Sequence, residues 1–343
     1  MSIATLGTAT ILLLFVLSLA TAGMAAIGAA RRSERLIEAG VQGTYATFGL
    51  SAFASALIVY AFVAGDFSVQ YVQKTSDAAM PLFYKITSFW GGLDGSMLFW
   101  VFLHTLFASL AVHANRERHR ELIPHVVSVL AVISAFFAGL LLFLKDPFAQ
   151  YLLEVPPQGR GLNPLLQNLY MIVHPPSLYL GYVSLAVPYA FGMAALITGQ
   201  VDAAWQRSVR RWTLFSWMFL TFGLILGGLW AYEELGWGGY WAWDPVENAA
   251  FLPWLTASAY VHSIMIQERR GMLKVWNVFL ICATFFLTIF GTFLTRSGLI
   301  ASVHSFAQSG IGIFFVWYMG ILVAGCTALI VWRLPQLRSE GSF

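Results

Sequence analysis

The strongest constraint on this chain is a series of apolar stretches that are each long enough to cross a bilayer as a helix. A helical span needs about 20 mostly apolar residues. Nine such stretches occur, at roughly 3–30, 42–64, 96–113, 123–144, 176–198, 213–231, 248–267, 275–295 and 310–332. Composition agrees, because 59% of the residues are apolar and 10% are charged, against about 25% charged in soluble domains. The pattern predicts an all-α fold, a polytopic transmembrane helical bundle of about nine spans that forms a single domain over residues 1–343.

Basic residues are split unevenly between the loops, which predicts the orientation of the bundle. The loops after the odd-numbered spans carry Arg31, Arg32, Arg35, Arg116, Arg118, Arg120, Arg207, Arg210, Arg211, Arg269, Arg270, Lys274, Arg333 and Arg338. The opposite face holds Lys74, Lys85, Lys145, Arg160 and Arg296. The positive-inside rule makes the first set cytoplasmic, so the N-terminus is expected outside. The net charge of +3 is then a topology signal, with lipid as the expected surroundings and no nucleic acid implied.

The connection between the sixth and seventh spans, residues 232–250, is rich in tryptophan. It places Trp237, Trp241 and Trp243 beside glycines, which are conformationally permissive. Indoles offer large flat rings, and glycines let the backbone approach a planar partner closely, so a porphyrin or a quinone is a plausible guest. An aromatic belt at the bilayer surface is the alternative, because Trp and Tyr collect there without binding anything.

Carboxylates follow directly after these tryptophans. Asp244 at the N-cap, Pro245 at the first helical position and Glu247 at the third helical position match a capping box that opens the seventh helix. We expect capping to be the main role of both carboxylates. A cap that fixes the start of the helix also fixes the tryptophans in front of it.

Two histidines are predicted on the same outward face. His174 precedes Pro175 and Pro176, so the fifth helix is expected to start only after it. His304 lies in the short loop before the ninth span, at a comparable depth. Two imidazoles beside an aromatic shelf suit the axial positions of a haem iron. Solvated loop residues, or a non-haem iron site completed by Asp244, are the alternatives.

A third histidine lies inside the membrane. His262 follows Pro245 by about 17 residues, or about 25 Å of helix, which places it in the inner half of the bilayer. Ionisable residues there are usually functional. His262 is a candidate ligand of a haem b, with a helix-to-helix hydrogen bond as the alternative. His104, in the third span, is the other histidine deep in apolar sequence. Both cysteines, Cys282 and Cys326, lie in predicted spans, and no CxxCH is present, so neither a disulfide nor covalently attached haem is expected.

Four stretches, in the same order along the chain, resemble motifs of a known family. Residues 237–250 resemble the tryptophan-rich WWD signature of the haem-handling proteins of cytochrome c biogenesis, and their Asp-Pro-Val-Glu-Asn ending resembles the CcmF branch. Residues 161–182 and 296–304 resemble that family's two outward histidine motifs. Residues 90–96 resemble a fourth motif, WGxHEGS.

The resemblance implies a haem lyase that acts late in cytochrome c maturation in the bacterial inner membrane, with its haem site facing the periplasm. Haem would arrive from the chaperone CcmE. It would be presented to the reduced CxxCH thiols of apocytochrome c, with help from CcmH-type or CcmI-type partners. The thiols come from the apocytochrome, so no catalytic nucleophile is expected in this chain.

The resemblance also implies roles for individual residues. His174 and His304 would be the axial ligands of the substrate haem, above the WWD segment with Trp237, Trp241, Trp243 and Asp244. His262 would ligate a resident haem b in the membrane.

The sequence departs from the family in two respects. Leu93 and Asp94 stand where the family usually has His and Glu. Family members are usually about twice as long, and the second membrane histidine lies in the C-terminal half. We therefore expect a separate C-terminal-half CcmF-like subunit to supply the missing half. The alternatives are that this chain is a truncated unit, or that His104 is a substitute ligand. A haem transporter and a quinone-linked haem b subunit are the rival functions.

Overall fold

The computed structural model describes residues 2–201, 204–306 and 309–338. Its α-helices are α1 (Ile3–Arg31), α2 (Glu34–Ala64), α3 (Gln70–Thr75), α4 (Leu82–Thr87), α5 (Leu93–Asn115), α6 (Ile123–Phe143), α7 (Leu169–Ser184), α8 (Ala186–Thr198), α9 (Ala204–Glu234), α10 (Pro245–Arg270), α11 (Lys274–Ser297) and α12 (Gly312–Arg333). Within the described residues, nine helical segments are long and apolar enough to cross a membrane, with α7 and α8 together forming the fifth. The all-α bundle of nine spans is confirmed.

The long helices run alternately up and down, and each buries one face against its neighbours. Helix α1 packs against α2 and α6, α7 packs against α9, and α10 packs against α11. The deepest core lies among α5, α6 and α8, where Trp100, Phe137 and Phe191 are buried. Helices α9 and α12 instead expose apolar side chains such as Phe222 and Trp317, which is typical of a face that contacts lipid.

The arginine-rich loops gather at one end of this bundle. Arg333 at the end of α12 donates from Nε to the carbonyl of Leu196 near the end of α8, over 2.7 Å. Arg210 at the start of α9 pairs with Glu268 at the end of α10, over 2.9 Å. The opposite end is called the outward end below. The start of α1 lies at the outward end, because Thr8 donates to Asp146 after α6 over 2.5 Å.

The prediction that the fifth helix starts after His174 is wrong. Helix α7 begins five residues earlier, at Leu169. Its N-cap is Asn168, whose side-chain oxygen accepts a hydrogen bond from the backbone N–H of Tyr170 over 2.8 Å. His174 is therefore held inside a helix, in its second turn, and its ring direction is set by the helix backbone.

Helix α7 continues through Pro175 and Pro176, and the carbonyl that Pro175 frees finds another partner. Pro175 has no N–H to donate to the carbonyl of Met171, so this carbonyl loses its helical hydrogen bond. The indole N–H of Trp90 donates to the same carbonyl over 3.3 Å. A contact 81 residues away in sequence thus compensates for the proline, and no local signal in the sequence could have indicated it.

The two long outward connections are ordered and packed against each other. They carry the short helices α3 and α4 and a single antiparallel bridge between Val69 and Gln150. Gln73 joins them, because its side chain donates to the carbonyl of Gln158 over 3.0 Å and accepts from the Tyr151 hydroxyl over 2.8 Å. These connections brace the outward end, where the candidate site lies.

Candidate functional site

A cavity of about 360 Å³ opens at the outward end of the bundle. Its walls come from most of α7, the starts of α5 and α10, the ends of α9 and α11, and connecting residues at 90–91, at Asn163 and Leu166, and at 303–306. Small-molecule sites usually enclose about 300–1,000 Å³. His174 and His304, which are 130 residues apart in the sequence, both line this one cavity.

The imidazole of His174 has a fixed orientation and tautomer. Its Nδ1 lies 2.8 Å from the carbonyl oxygen of Gly223 on α9. A carbonyl only accepts hydrogen bonds, so Nδ1 carries the proton and Nε2 keeps a lone pair. One turn further along α9, Gly227 makes room for the ring, because a Cβ there would lie 2.5 Å from Cε1 of His174.

His304 shows the same arrangement with a carboxylate in place of the carbonyl. Its Nδ1 lies 3.2 Å from Oδ2 of Asp244, and the two side chains are only 16% and 12% exposed. Ser302 donates to the same carboxylate oxygen over 2.7 Å and accepts from the backbone N–H of His304 over 3.0 Å. A carboxylate behind an imidazole is the usual support of a metal-ligating histidine, since it fixes the ring and makes the other nitrogen a better ligand.

The expected capping box at the start of α10 is present. Asp244 Oδ2 accepts from the backbone N–H of Val246 over 3.0 Å. Glu247 in turn accepts from the backbone N–H groups of Ala242 and Asp244 over 3.0 and 3.1 Å. Asp244 therefore has two roles, because the oxygen that caps α10 also orients His304. Its carboxylate is hydrogen-bonded to the imidazole of His304, so the two side chains are not arranged as separate ligands of one metal ion. The arrangement does not favour the non-haem iron alternative.

The three tryptophans of the WWD segment lie at different distances from the cavity. The ring of Trp237 is 6.4 Å from that of His304. Trp241 and Trp243 pack edge to face at 6.0 Å on the outward surface, with Trp243 68% exposed, and neither lines the cavity. Trp243 has a positive φ of 58°, a conformation that is unusual for a bulky residue. Its carbonyl is held by Asn248 Nδ2 over 3.0 Å. The haem-binding role of all three remains a prediction.

One aromatic residue of the cavity was not predicted. Trp230, near the end of α9, is 2% exposed, and its ring lies 6.4 Å from His174 and 5.3 Å from His304. Gly223, Gly227 and Trp230 are spaced by four and three residues, so they share one face of α9. This helical spacing is the feature of the sequence that could have indicated Trp230 as a site residue. It is less conspicuous than the tryptophan-rich segment a few residues later.

Arg296 also lies elsewhere than its sequence suggested. The sequence pattern places it among the basic residues of the outward loops. In the structure it falls within the last turn of α11, is 4% exposed and lines the cavity. A cation in this position contributes to the site and says little about orientation.

His262 is exposed on the membrane-spanning part of α10. Its Nδ1 lies 2.7 Å from the carbonyl of Ser258 in the same helix, so Nε2 again keeps the lone pair. The alternative of a bond between helices does not describe this contact. His104 is different, because its ring is 1% exposed, stacks on Trp100 at 5.2 Å and uses Nε2 to donate to the carbonyl of Leu130. These contacts are typical of a core histidine and do not favour His104 as a substitute haem ligand.

A row of contacts along α10 connects the outward segment with His262. The rings of Trp241 and Phe251 are 5.9 Å apart, and those of Phe251 and Trp254 are 5.4 Å apart. Ser258, one turn later, donates to the carbonyl of Trp254 over 2.7 Å. His262 follows after one more turn. The membrane histidine and the WWD segment are thus joined through a single helix.

Comparisons with known proteins show the family to which the chain belongs. The family described as cytochrome C assembly protein matches residues 90–300, a range that includes His174 and His262 and ends four residues before His304. The chain is 40% identical over 94% of its length to the cytochrome c-type biogenesis protein CcmF of Haemophilus influenzae, and 43% identical over 96% of its length to CycK of Rhizobium meliloti.

A solved structure titled cytochrome c heme lyase CcmF superimposes with a TM-score of 0.81 at 34% identity, over 96% of this chain and 51% of that chain. The chain spans about half the length of the curated relatives it matches, with 51% of CcmF and 49% of CycK covered. The chain belongs to the cytochrome c assembly protein family and is of the CcmF type.

Proposed function

We propose that this chain holds haem for cytochrome c maturation, with His174 and His304 as the axial ligands of one substrate haem at the outward cavity. The observation that carries the proposal is the pair of imidazoles on one cavity, each with Nδ1–H bound to an oxygen that can only accept. Two neutral Nε2 atoms are therefore ready to bind iron without any change of tautomer.

In this proposal the protein orients the haem and excludes water from it. The apolar and aromatic walls of the cavity keep water from the iron, and the two imidazoles fix the plane of the ring. The thioether bonds form when the thiol S–H groups of an apocytochrome add across the haem vinyl double bonds, so nothing leaves and no side chain has to attack. The lyase step itself, the supply of haem by CcmE and the help of CcmH-type or CcmI-type proteins belong to the proposal.

The WWD segment has a supporting role in this proposal. The ring of Trp237 lies near that of His304, while Trp243 is exposed and packs edge to face on Trp241. We assign them to the part of the haem that projects from the cavity, or to the protein that delivers it. Glu247 and Asp244 hold this segment through the start of α10.

His262 fits one axial position of a resident haem b. It is exposed on the bundle surface with Nε2 unbonded, and its Nδ1–H is fixed by the carbonyl of Ser258. Such a haem would supply electron transfer when bound, and the second ligand would come from outside this chain. The periplasmic direction of the outward end and the bacterial inner membrane as the location are part of the same proposal.

The histidine pair can be tested by haem spectroscopy. We expect His174→Ala and His304→Ala each to abolish the low-spin, bis-histidine spectrum of haem added to the purified chain, and to abolish maturation of a reporter cytochrome c. Both variants should still insert in the membrane, because iron ligation contributes little to the packing of the bundle.

His125→Ala is the matched control, because His125 lies in α6 at the arginine-rich end and should change neither readout. Full maturation by either of the two alanine variants would overturn the assignment.

A further inference from the structure

The cavity contains a buried cation that has no anionic partner in the described part of the chain. The guanidinium of Arg296 donates to Ser96 Oγ over 3.0 Å, to the hydroxyl of Tyr179 over 2.5 Å and to Thr295 Oγ1 over 3.0 Å, and all three acceptors are neutral. Among the described residues, the ion pairs involve other side chains. A buried charge is normally retained only with a counter-ion, because desolvation is costly.

Two buried N–H groups of residues that line this cavity also lack acceptors. Nε of Arg296 and Nε1 of Trp100 have no hydrogen-bond partner in the described structure. Trp100 follows Ser96, which accepts from Arg296, by one turn on the same face of α5. The hydroxyl of Tyr179 accepts from Arg296 and still has its own proton to donate. Arg296, Trp100 and Tyr179 all line the cavity.

A purely structural role for Arg296 would leave part of this arrangement unexplained. The terminal nitrogens of Arg296 already connect α11 to α5 and α7 through Ser96 and Tyr179. Such a connection does not require Nε of Arg296 or Nε1 of Trp100 to remain unpaired, and it does not require a full positive charge. A ligand with two negatively charged oxygens would satisfy the charge and the unpaired donors together.

We infer that Arg296, Trp100 and Tyr179 form a carboxylate-binding subsite and that, given the proposed function, the group bound there is a propionate of the substrate haem. Arg296 is then a positioning residue that selects which edge of the porphyrin enters the cavity.

This subsite would also orient the rest of the haem. Tyr179 follows His174 by five residues on α7, so it lies about 7.5 Å deeper along the helix axis. The propionate edge would therefore point into the bundle. The vinyl groups of haem lie toward the opposite edge of the ring, so they would point outward, where the thiols of an apocytochrome can reach them.

The test uses the full-length chain in detergent and a porphyrin without iron, to which the histidines contribute no ligation. Protoporphyrin IX and its dimethyl ester are titrated separately by fluorescence. We expect the free acid to bind about tenfold more tightly than the ester, because the ester removes charge-assisted hydrogen bonds. Arg296→Gln should abolish this preference, while Arg296→Lys should keep part of it.

Trp100→Phe keeps a ring against Phe137 but removes the N–H, so it should reduce the preference for the acid. Trp205→Phe is the matched control, because Trp205 is also a buried indole with an unpartnered N–H but does not line the cavity. The control should leave the preference unchanged.

Equal affinity of the wild-type chain for the acid and the ester would overturn the subsite, whether or not the variants fold. An unchanged preference in a folded Arg296→Gln variant would do the same. The proposed function fails separately, if iron protoporphyrin binds no more tightly than the iron-free ring and His174→Ala has no effect. In that case a retained preference for the acid would still support a carboxylate site.

Discussion

At the scale of single residues, the candidate haem ligands are distinguished by which ring nitrogen is already occupied. His174, His304 and His262 each bind a pure acceptor through Nδ1, namely two carbonyls and a carboxylate. His104 binds a carbonyl through Nε2 and is enclosed in the core. The sequence showed that these positions are histidines. It could not show the acceptors, because Gly223 and Asp244 reach their histidines across 49 and 60 residues of chain.

The two roles of Asp244 can be separated by two substitutions. Asp244→Asn should keep the cap, since Asn is as good at the N-cap as Asp, but should weaken haem binding about tenfold by removing the charge behind His304. Asp244→Ala should do the same and also lower the free energy of unfolding by about 1 kcal/mol. Haem titration and thermal unfolding in detergent measure the two effects.

Ser302→Ala serves as the control for this pair, because it removes one donor to Asp244 and leaves the carboxylate in place. We expect it to have the smaller effect on haem affinity. Haem binding by Asp244→Asn at the wild-type level would show that the carboxylate acts only as a helix cap.

At the scale of the helices, hydropathy predicted where spans occur and missed where some of them begin. The nine apolar stretches match nine helical segments, because apolar length alone decides whether a segment crosses a bilayer. The start of α7 was misplaced, since local rules for proline favour a helix that begins at Pro175. The N–H of Trp90, which supports the carbonyl of Met171, comes from a distant part of the chain.

Helix α9 leaves room for the ring of His174 because Gly227 has no side chain. This contact gives a second prediction. Gly227→Ala would place a Cβ 2.5 Å from the imidazole and force the ring away from the carbonyl of Gly223. Haem affinity should fall about tenfold, in the range found when the support of a ligand is lost. The gain in helix propensity of about 1 kcal/mol should limit the loss of stability.

Gly325→Ala provides the comparison, since Gly325 lies within α12 and a Cβ there would meet nothing within 4 Å. This variant should gain the same helix propensity and bind haem normally. If both alanine variants bind haem equally well, the close contact between α9 and His174 is not important for the site.

At the scale of the whole molecule, the chain presents a membrane histidine on its surface. His262 is exposed on α10, near other exposed apolar side chains such as Leu255 and Ile266. A six-coordinate haem b needs two ligands. An unpaired imidazole facing lipid is unfavourable. We therefore expect a membrane segment of a C-terminal-half CcmF-like subunit to pack on this face.

Coexpression tests this expectation. Purified without added haem, the chain alone should show little six-coordinate haem b, and a C-terminal-half CcmF-like subunit should restore it in the wild type but not in His262→Ala. His104→Ala should have no effect on the restored spectrum. A bis-histidine haem in the isolated chain that disappears with His104→Ala would show instead that the site is complete within this chain.

If His304 binds iron as proposed, the shared oxygen of Asp244 would make the start of α10 part of the binding equilibrium. The iron would draw electron density from the imidazole and make its N–H a stronger donor to Asp244. The same oxygen holds Val246, and the cap continues through Glu247 to the backbone of the WWD segment. Coupling free energies are reciprocal. A protein that docks on these tryptophans and shifts Asp244 would therefore loosen the iron by the same factor by which the iron opposes the docking, and one carboxylate would then control both delivery and release of the proposed haem.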